Sequence, residues 1–371
     1  MRLLYLTCHL DVSGVTRLNL DILKRLGNDT TIFVATTEQE PSSGSLLDRF
    51  MWCPLPPLQL WRYPAGERFR VLADFLRSNA IDLVFITHSH WGYEQCAKLK
   101  HLMPAIRIVD ALHVLEPFFL RGGFPDISAH PFVHRHLDAT ICISHDLRNY
   151  IIRNYAVNAG RIHVVKNGVD LSRYSRIEAL NGVWKKELGL PAEARVVGYI
   201  GRMTPQKRPE LFVHIAREML KKMPSLHFYM IGSGPLAGDI ARIASSEPFS
   251  GRLLCFGRMD DIPLVLHSTD LLLVPSAYEG APLTIIEALS VGVPVVASDV
   301  GAIREYVGDY CHLVPVGRGE AGRLQERACA VLSGDTRAGA VGGFNIAATA
   351  AGYRQVFQDV CPDRPNRGMP L

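Results

Sequence analysis

The sequence predicts an α/β protein of two domains, each built on a parallel β-sheet with helices on both faces. Short apolar strand-like runs alternate with longer segments in which apolar residues recur at helical spacing, and this alternation is typical of such sheets. The chain of 371 residues is also too long to fold around one ordinary hydrophobic core. The alternation begins again in the second half without a sequence repeat, which predicts a second domain of the same architecture.

The first half opens on a strand, LLYLT, and a helical stripe follows from Val15 to Leu26. The opening apolar run is broken by His9 and Asp11, and no convincing cleavage site follows, so we expect a strand rather than a secretion signal. No apolar run approaches the length of a membrane span, and we expect a cytoplasmic protein, attached at most to a membrane surface. The later strands of this half are TTIFVAT, DLVFIT, IRIVDAL, ATICIS and IHVV.

The second half predicts its own series of strands and helices. Its helix is PELFVHIAREMLKKM, and its strands are RVVGYIG, LHFYMIG, LLCFG, DLLLVP and PVVAS. A polar, turn-rich stretch lies between the halves. We therefore place an N-terminal domain at 1–170, a linker at 171–194, a C-terminal domain at 195–344 and a last helix at 345–361. Residues 317–343 are rich in Ala, Gly and Arg and have weak patterning.

Composition excludes some classes of function. The net charge of +4 is too small to argue for nucleic acid binding. The eight cysteines are scattered singly, without a C-x-x-C or a zinc spacing, so we expect buried free thiols in a reducing compartment. No Gly-rich dinucleotide fingerprint and no P-loop follow the first strand, so a nucleoside triphosphatase is not indicated.

The segment 51–69 is rich in tryptophan, arginine and proline and has two interpretations. Amphipathic aromatic and basic residues suit a membrane surface or an acceptor-binding loop. The alternative is an ordinary loop packed on its domain. We favour the second, because four prolines in this segment prevent a continuous amphipathic helix.

The segment SAYEGAPLTIIEALSVGVPVVAS has the features of an anion site. The strand before it leads to the carboxyl edge of a parallel sheet, where ligands of such sheets bind. Gly280 and Pro282 predict a tight turn and a helix that begins near Leu283, whose free N–H groups attract anions. Glu287, one turn inside the helix, could accept two hydrogen bonds from a diol, and Glu279 precedes the turn. The alternative is that one glutamate lies at the surface and the other caps the helix. This alternative is weaker when both glutamates are considered together with the turn and the helix start.

Two further loops carry candidate phosphate-binding groups. In GYIGRMTPQKRPELF, Gly201 ends a strand, and Arg202 and Lys207 follow before a helix. A guanidinium and an ammonium suit a diphosphate, although two solvated loop cations fit this patch equally well. In HLDVSGVTRL, Gly14 precedes a helix and could present N–H groups to a phosphate.

These segments together resemble the retaining GT-B glycosyltransferases, the group 1 or family 4 type that includes sucrose synthases and bacterial mannosyl- and glucosyltransferases. NGVDLSRY is similar to the family's linker signature, and GRMTPQKRPELF to its phosphate loop, which IGSGPL follows. YEGAPLTIIEALSVGVPVVASDVGAIREYV is similar to its donor motif, with seven residues between the two glutamates. The resemblance covers the chain from Met1 to about Gly308. It implies two facing Rossmann-like domains with a deep interdomain cleft and a C-terminal helix that returns to the first domain.

The resemblance also implies a role for each matched residue. Glu287 would hold the nucleotide ribose, and Arg202 and Lys207 would hold the diphosphate. Glu279 would face the sugar near its 3-hydroxyl, and His113 in IVDALHVLEP would contact the sugar, commonly its 6-hydroxyl. The implied catalytic residues are His113, Arg202, Lys207 and Glu279, and the implied nucleotide-sugar-binding residues are Gly14, Gly201, Gly280, Ala281, Leu283, Thr284 and Glu287.

Other histidines receive weaker interpretations. His88 and His90 follow a strand in THSHW and could line an acceptor cleft. A metal pair there lacks an evident third ligand. His134 and His136 are expected on a helix surface.

The resemblance implies transfer of a hexosyl group from a nucleotide-diphospho-sugar to an acceptor hydroxyl, with retention of configuration. The chain has no Asp-x-Asp of the kind that holds a divalent metal, so we expect no metal and no cofactor. The expected partners are a nucleotide-sugar donor and a saccharide or glycolipid acceptor in surface-polysaccharide or glycolipid assembly. Two alternatives stay open: a catalytically silent nucleotide-sugar-binding module of this fold, and a GT-B sugar-nucleotide epimerase.

Overall fold

The chain divides into two units in the computed structural model, which describes residues 1–11, 13–27, 29–40, 46–113, 131–155, 157–281, 283–334 and 344–362. The first unit comprises Met1–Asn167 and Ile346–Leu371, and the second comprises Gly168–Asn345. The C-terminal helix therefore belongs to the first unit. The segment 171–194, which the sequence suggests is a linker, lies inside the second.

The first unit is built on a parallel sheet with the strand order β3-β2-β1-β4-β5-β6-β7. Its strands are β1 (Arg2–Thr7), β2 (Thr31–Thr36), β3 (Leu58–Gln59), β4 (Leu83–Thr87), β5 (Arg107–Leu112), β6 (Ala139–Cys142) and β7 (Ile162–Val164). The helices before residue 168 are α1 (Gly14–Lys24), α2 (Arg68–Ser78), α3 (His90–Leu102), α4 (Pro131–His134) and α5 (His145–Tyr155). The order reverses between β1 and β4, and in sheets of this type ligands bind at the carboxyl ends of the strands beside such a reversal.

The second unit is built on a parallel sheet with the strand order β10-β9-β8-β11-β12-β13. Its helices are α6 (Val183–Glu187), α7 (Pro209–Lys222), α8 (Ala237–Ala244), α9 (Ile262–Leu266), α10 (Leu283–Val291), α11 (Ile303–Val307) and α12 (Glu320–Leu332). Its strands are β8 (Val196–Ile200), β9 (His227–Ile231), β10 (Leu253–Phe256), β11 (Leu271–Val274), β12 (Val295–Ser298) and β13 (His312–Val314). The reversal lies between β8 and β11. The prediction of two α/β domains on parallel sheets is confirmed.

The C-terminal helix α13 (Ile346–Val360) is part of the core of the first unit. Its Tyr353 and Phe357 rings lie 5.8 Å and 5.3 Å from the ring of Phe85 in β4. The Thr349 hydroxyl donates to the carbonyl of Lys166 at 2.9 Å. All five residues of β4 are buried, which explains why its sequence is a continuous apolar run.

Two segments whose sequences show little apolar periodicity are nevertheless ordered parts of the second unit. Residues 320–332 form a full helix, α12, within the weakly patterned stretch 317–343. Its buried face includes Gln325 and Ala328, which dilute the apolar periodicity. In the stretch 171–194, Trp184 is buried in the core and meets the Tyr229 ring edge-on at 5.1 Å. That stretch is therefore a packed part of the second unit.

The segment 51–69 is partly anchored to the first unit. Leu60 is buried, and β3 pairs with β2. Met51 and Trp52 are 56% and 43% exposed. Among the described residues, none of the helices has the length and apolar character required to span a bilayer.

Candidate functional site

The carboxyl ends of β8 and β11 bring two of the predicted segments together in the second unit. The loop 201–208 follows β8, and the loop 275–281 precedes α10. The Ala277 N–H donates to the carbonyl of Gln206 at 2.8 Å, and the Gln206 amide donates to the carbonyl of Tyr278 at 3.2 Å. The two loops are therefore joined through Gln206, to which the sequence assigns no role. No pattern in the sequence distinguishes this glutamine, because its partners Ala277 and Tyr278 lie in a loop that is distant in the sequence.

Lys207 and Glu279 form an ion pair between these loops. The Lys207 Nζ lies 2.5 Å from the Glu279 Oε1. The Glu279 side chain is only 4% exposed and that of Lys207 is 20% exposed. A buried carboxylate is costly without a partner, so the ammonium compensates a charge that the fold places at the sheet edge. The structure thus brings together two predicted site residues 72 positions apart in the sequence.

Arg202 and Gly201 lie beside this pair. Arg202 is exposed, and its guanidinium donates to the Gln206 side chain at 2.8 Å. The backbone at Gly201 is approached closely by Gly232, whose φ is +146°. A Cβ on Gly232 would lie 1.9 Å from the Gly201 carbonyl oxygen, so only glycine permits this contact. The first glycine of IGSGPL thus shapes the loop that carries Arg202 and Lys207.

Helix α10 begins at Leu283, as predicted, and Thr284 lies in its first turn. Glu287 lies one turn further along and is half-buried. Gly280 and Ala281 connect Glu279 to this helix and are also half-buried. Pro282, which the sequence places in the turn, lies outside the described residues.

Gly301 brings a third loop, after β12, against Glu279. Its φ is +55°, and a Cβ there would lie 1.8 Å from the Glu279 carbonyl oxygen. Gly301 lies in the segment that resembles the family's donor motif, and the sequence assigns it no role. The structure shows that it permits close contact with the backbone that carries Glu279.

In the first unit, His113 follows β5 and stacks on His88, which follows β4. The ring centroids lie 5.7 Å apart with an interplanar angle of 20°. His113 is 4% exposed, and neither ring nitrogen has a hydrogen-bond partner among the residues that the structure describes. Burial, with a smaller contribution from His88, lowers the pKa of His113 to about 3. The ring is therefore neutral at pH 7.

Helix α1 begins at Gly14, which the sequence places just before the helix, and this glycine is exposed. Ser13 caps this helix, since its hydroxyl accepts from the Thr16 N–H at 3.2 Å. The Thr16 hydroxyl donates to the Asp11 carboxylate at 2.7 Å. These side-chain contacts fix the loop after β1.

The surface position predicted for His134 is wrong. Its side chain is buried, and its Nε2 lies 3.2 Å from the Thr140 hydroxyl. Burial, helped by Arg161, lowers the pKa of His134 to about 4. Within the described part of the chain, no three side chains of the His, Cys, Asp or Glu type cluster as metal ligands.

Two family models match the chain. The model described as glycosyl transferases group 1 matches residues 194–333, and the model described as glycosyltransferase family 4 matches residues 12–173. Together they cover most of the sequence, and the unmatched residues 174–193 between them lie shortly after the boundary between the two units.

The similar proteins include two that are named as glycosyltransferases. A UDP-Gal:alpha-D-GlcNAc-diphosphoundecaprenol alpha-1,3-galactosyltransferase of Escherichia coli is 32% identical over 43% of this chain and 42% of its own length. An alpha-maltose-1-phosphate synthase of Mycolicibacterium smegmatis is 29% identical over 64% of this chain and 65% of its own. A D-inositol 3-phosphate glycosyltransferase of Rhodococcus opacus is 27% identical over 76% and 68%. The chain thus spans less than two thirds of the length of the first two relatives.

Solved structures share the fold. HepE of Anabaena, in complex with UDP and glucose, superposes with a TM-score of 0.74 at 20% identity, over 97% of this chain and 98% of that one. Sucrose-phosphate synthase of Thermosynechococcus elongatus gives a TM-score of 0.75 at 18% identity, over 97% and 99%. At these identities the likeness shows the GT-B fold.

The buried, neutral His113 predicts a pH dependence of stability. Its pKa is about 3 in the folded chain against an ordinary value of 6.5, so between these values the unfolded chain binds a proton that the folded chain does not. The stabilisation is complete above pH 6.5 and is lost as the pH falls. Lowering the pH from 7 to 4.5 should therefore reduce the unfolding free energy of the wild type by roughly 2 kcal/mol more than that of His113→Gln. Urea denaturation at both pH values measures this difference.

The matched control for this prediction is His101→Gln, at an exposed position of α3. This variant should keep the pH dependence of the wild type. Equal pH dependence in the wild type and in His113→Gln would contradict a neutral, buried imidazole at position 113.

Proposed function

Since this chain belongs to the group 1 and family 4 glycosyltransferases, we propose that it transfers a hexosyl group from a nucleotide-diphospho-sugar to an acceptor hydroxyl with retention of configuration and without a metal. The observation that carries the proposal is the Lys207–Glu279 pair, 2.5 Å apart beside the start of α10. It places a cation, a carboxylate and the N-terminus of a helix at one sheet edge.

The positive groups at this edge suit the diphosphate of a sugar donor. Lys207 lies at the end of the loop, and Arg202 is exposed beside it. The first turn of α10 adds backbone N–H groups that its own helix leaves without partners. As the bond to the sugar breaks, negative charge grows on the leaving diphosphate, and fixed cations stabilise it. In this proposal they supply the charge that a metal provides in other transferases.

The two glutamates suit the hydroxyl groups of the sugar donor. A carboxylate accepts hydrogen bonds only, so Glu279 fits the transferred sugar and Glu287 fits the two hydroxyls of a ribose. Lys207 contacts one carboxylate oxygen of Glu279, Oε1, and in this proposal the other oxygen accepts from the sugar. The resemblance assigns His113 to the transferred sugar. Its neutral ring suits hydrogen bonding to a hydroxyl rather than proton donation at neutral pH.

The relatives and neighbours guide the choice of substrates. The name of the E. coli relative specifies UDP-galactose and a lipid-linked sugar, and the solved Anabaena protein holds UDP and glucose. We therefore propose a nucleotide-sugar donor, with UDP-hexoses as the first compounds to test. We propose a saccharide or glycolipid acceptor, in keeping with surface-polysaccharide or glycolipid assembly.

The proposed reaction is tested first by thermal shift against UDP-, GDP-, ADP- and dTDP-sugars, and then by transfer with the donor that binds. We expect an α-linked product from an α-linked donor in anomeric NMR, and unchanged rates with a chelator. Inversion would contradict retention, and loss of activity with the chelator would contradict metal independence. Binding without transfer to any acceptor would indicate a silent binding module. Conversion of the sugar donor without acceptor would indicate an epimerase.

Replacement of Lys207 by alanine should reduce turnover by about 10²–10³-fold, because the leaving diphosphate loses a fixed cation. Glu287→Ala should mainly weaken binding of the sugar donor. Steady-state kinetics and calorimetry separate these effects. Lys221→Ala, at an exposed position of α7, is the matched control. Full activity of Lys207→Ala would show that the diphosphate assignment is wrong.

Although its prolines favour an ordinary loop, the segment 51–69 exposes aromatic and basic side chains, and we therefore also propose that it makes peripheral contact with an anionic membrane surface. Met51 and Trp52 are exposed, and so are Arg49 and Arg62, a combination that suits the lipid headgroup region. Co-sedimentation with phosphatidylglycerol vesicles should fall when Met51 and Trp52 are both replaced by serine. Tyr310→Ser, which changes an exposed aromatic of the second unit, should leave it unchanged. Equal sedimentation of all three proteins would support an ordinary loop.

A further inference from the structure

Arg208, the residue after Lys207, has a backbone conformation that is uncommon for its type. Its φ is +47°, in the left-handed region, and it occupies the cap position before α7. Glycine adopts this conformation without cost, whereas a residue with a Cβ is strained by it. Strain of this kind persists only where the surrounding structure compensates for it. The contacts of the guanidinium identify that compensation.

The Arg208 guanidinium joins three elements of the second unit. Its Nε donates to the carbonyl of Pro275 at 2.5 Å, and its Nη2 donates to the carbonyl of Ser276 at 2.8 Å. Both carbonyls directly follow β11. The Nη2 also donates to the hydroxyl of Ser298, the last residue of β12, at 3.0 Å. Both Nη atoms donate to Glu320, the first residue of α12, at 3.0 Å and 2.6 Å.

The partner Glu320 is held ionised for this contact. Its side chain is 9% exposed, and that of Arg208 is 25% exposed. Burial by itself would raise the pKa of Glu320, but hydrogen bonds from Arg208 and Ser298 outweigh it and lower that pKa below its usual value. A two-pronged arginine–carboxylate pair of this kind fixes geometry as well as charge. The guanidinium is thus rigidly placed.

From this arrangement we propose that Arg208 is a positioning residue for the sugar-donor site: it fixes the loop that carries Lys207 to the strand end that carries Glu279. The inference rests on the proposed function. Arg208 is adjacent to Lys207, and its acceptor Ser276 lies three residues before Glu279. One guanidinium therefore sets the separation of the two charged groups. It acts through them and has no contact with the sugar donor in this proposal.

The alternative is that Arg208 only stabilises the unit. The two roles differ in what happens to Lys207 when the guanidinium is removed. If Arg208 positions Lys207, a chain without the guanidinium should already have lost most of the contribution of Lys207 to catalysis, because misplacement by about 1 Å costs about 100-fold in rate. If Arg208 only stabilises, the contribution of Lys207 should be unchanged in the chain that remains folded.

The test is a double-mutant cycle in the full chain, with UDP-glucose, or the sugar donor found by thermal shift, as the probe. Arg208→Gly removes the guanidinium and suits the left-handed backbone. We expect it to lower kcat/KM by about 100-fold, mainly through kcat. In that background Lys207→Ala should reduce kcat/KM by less than about tenfold, against about 10²–10³-fold in the wild type. Millimolar ethylguanidinium should restore part of the activity of Arg208→Gly.

The matched control is Lys185→Met, which removes another partly buried ion pair from the same unit. The Lys185 Nζ lies 2.8 Å from Asp270, next to the first residue of β11 and so at the amino end of that strand. This variant should lose melting temperature and keep kcat/KM in the folded chain. Additive effects of Arg208→Gly and Lys207→Ala, or equal losses of kcat/KM in Arg208→Gly and Lys185→Met, would overturn the proposal.

A crystal structure of Arg208→Gly separates failure of this inference from failure of the proposed function. We expect the 2.5 Å contact between Lys207 Nζ and Glu279 Oε1 to be lost. An unchanged contact would overturn the positioning role whatever the activity. Absence of transfer by the wild type with every sugar donor would overturn the proposed function, while the position of Lys207 in the variant would still decide the role of Arg208.

Discussion

The candidate site depends on one buried carboxylate and the cation that compensates it. Glu279 lies at the carboxyl end of β11 and is almost fully removed from solvent, and Lys207 reaches it from the loop after β8. A carboxylate in this position would be strongly destabilising without a partner. The loops after β8 and β11 must therefore remain in register with one another. The hydrogen bonds through Gln206 and the contacts of Arg208 both serve that requirement.

Close approach of backbones makes this register achievable. Gly232 lies against the carbonyl of Gly201, and Gly301 lies against the carbonyl of Glu279, at distances that exclude any side chain. The loops after β8, β9, β11 and β12 consequently form one packed layer over the sheet edge. A layer of this kind holds charged groups at fixed positions before a ligand arrives, which is the condition for electrostatic stabilisation of a leaving group.

The first unit presents a different chemistry at the corresponding edge of its own sheet. Its central feature is an aromatic stack of two histidines, of which His113 is buried and neutral. A neutral imidazole can donate from one nitrogen and accept at the other, so it suits recognition of hydroxyl groups. The candidate site of the second unit instead has a charged pair, Lys207 and Glu279.

The sequence by itself determined the fold class, the start of α10 and every strand except β3 and β13. Most strands and helix N-termini depend on local patterns that each segment carries alone, whereas β3 and β13 are short edge strands of two and three residues. It also indicated Lys207, Glu279 and Glu287 as candidates, through their spacing and resemblance to a family. Only the tertiary structure decided which of these groups meet, since the Lys207–Glu279 contact joins loops 72 residues apart. The tertiary structure alone also assigned the contacts of Gln206, Arg208 and Glu320. It showed that His134 is buried and that Trp184 lies in a core rather than in a linker. These outcomes depend on contacts between segments that are distant in the sequence, and local patterns carry no information about such contacts.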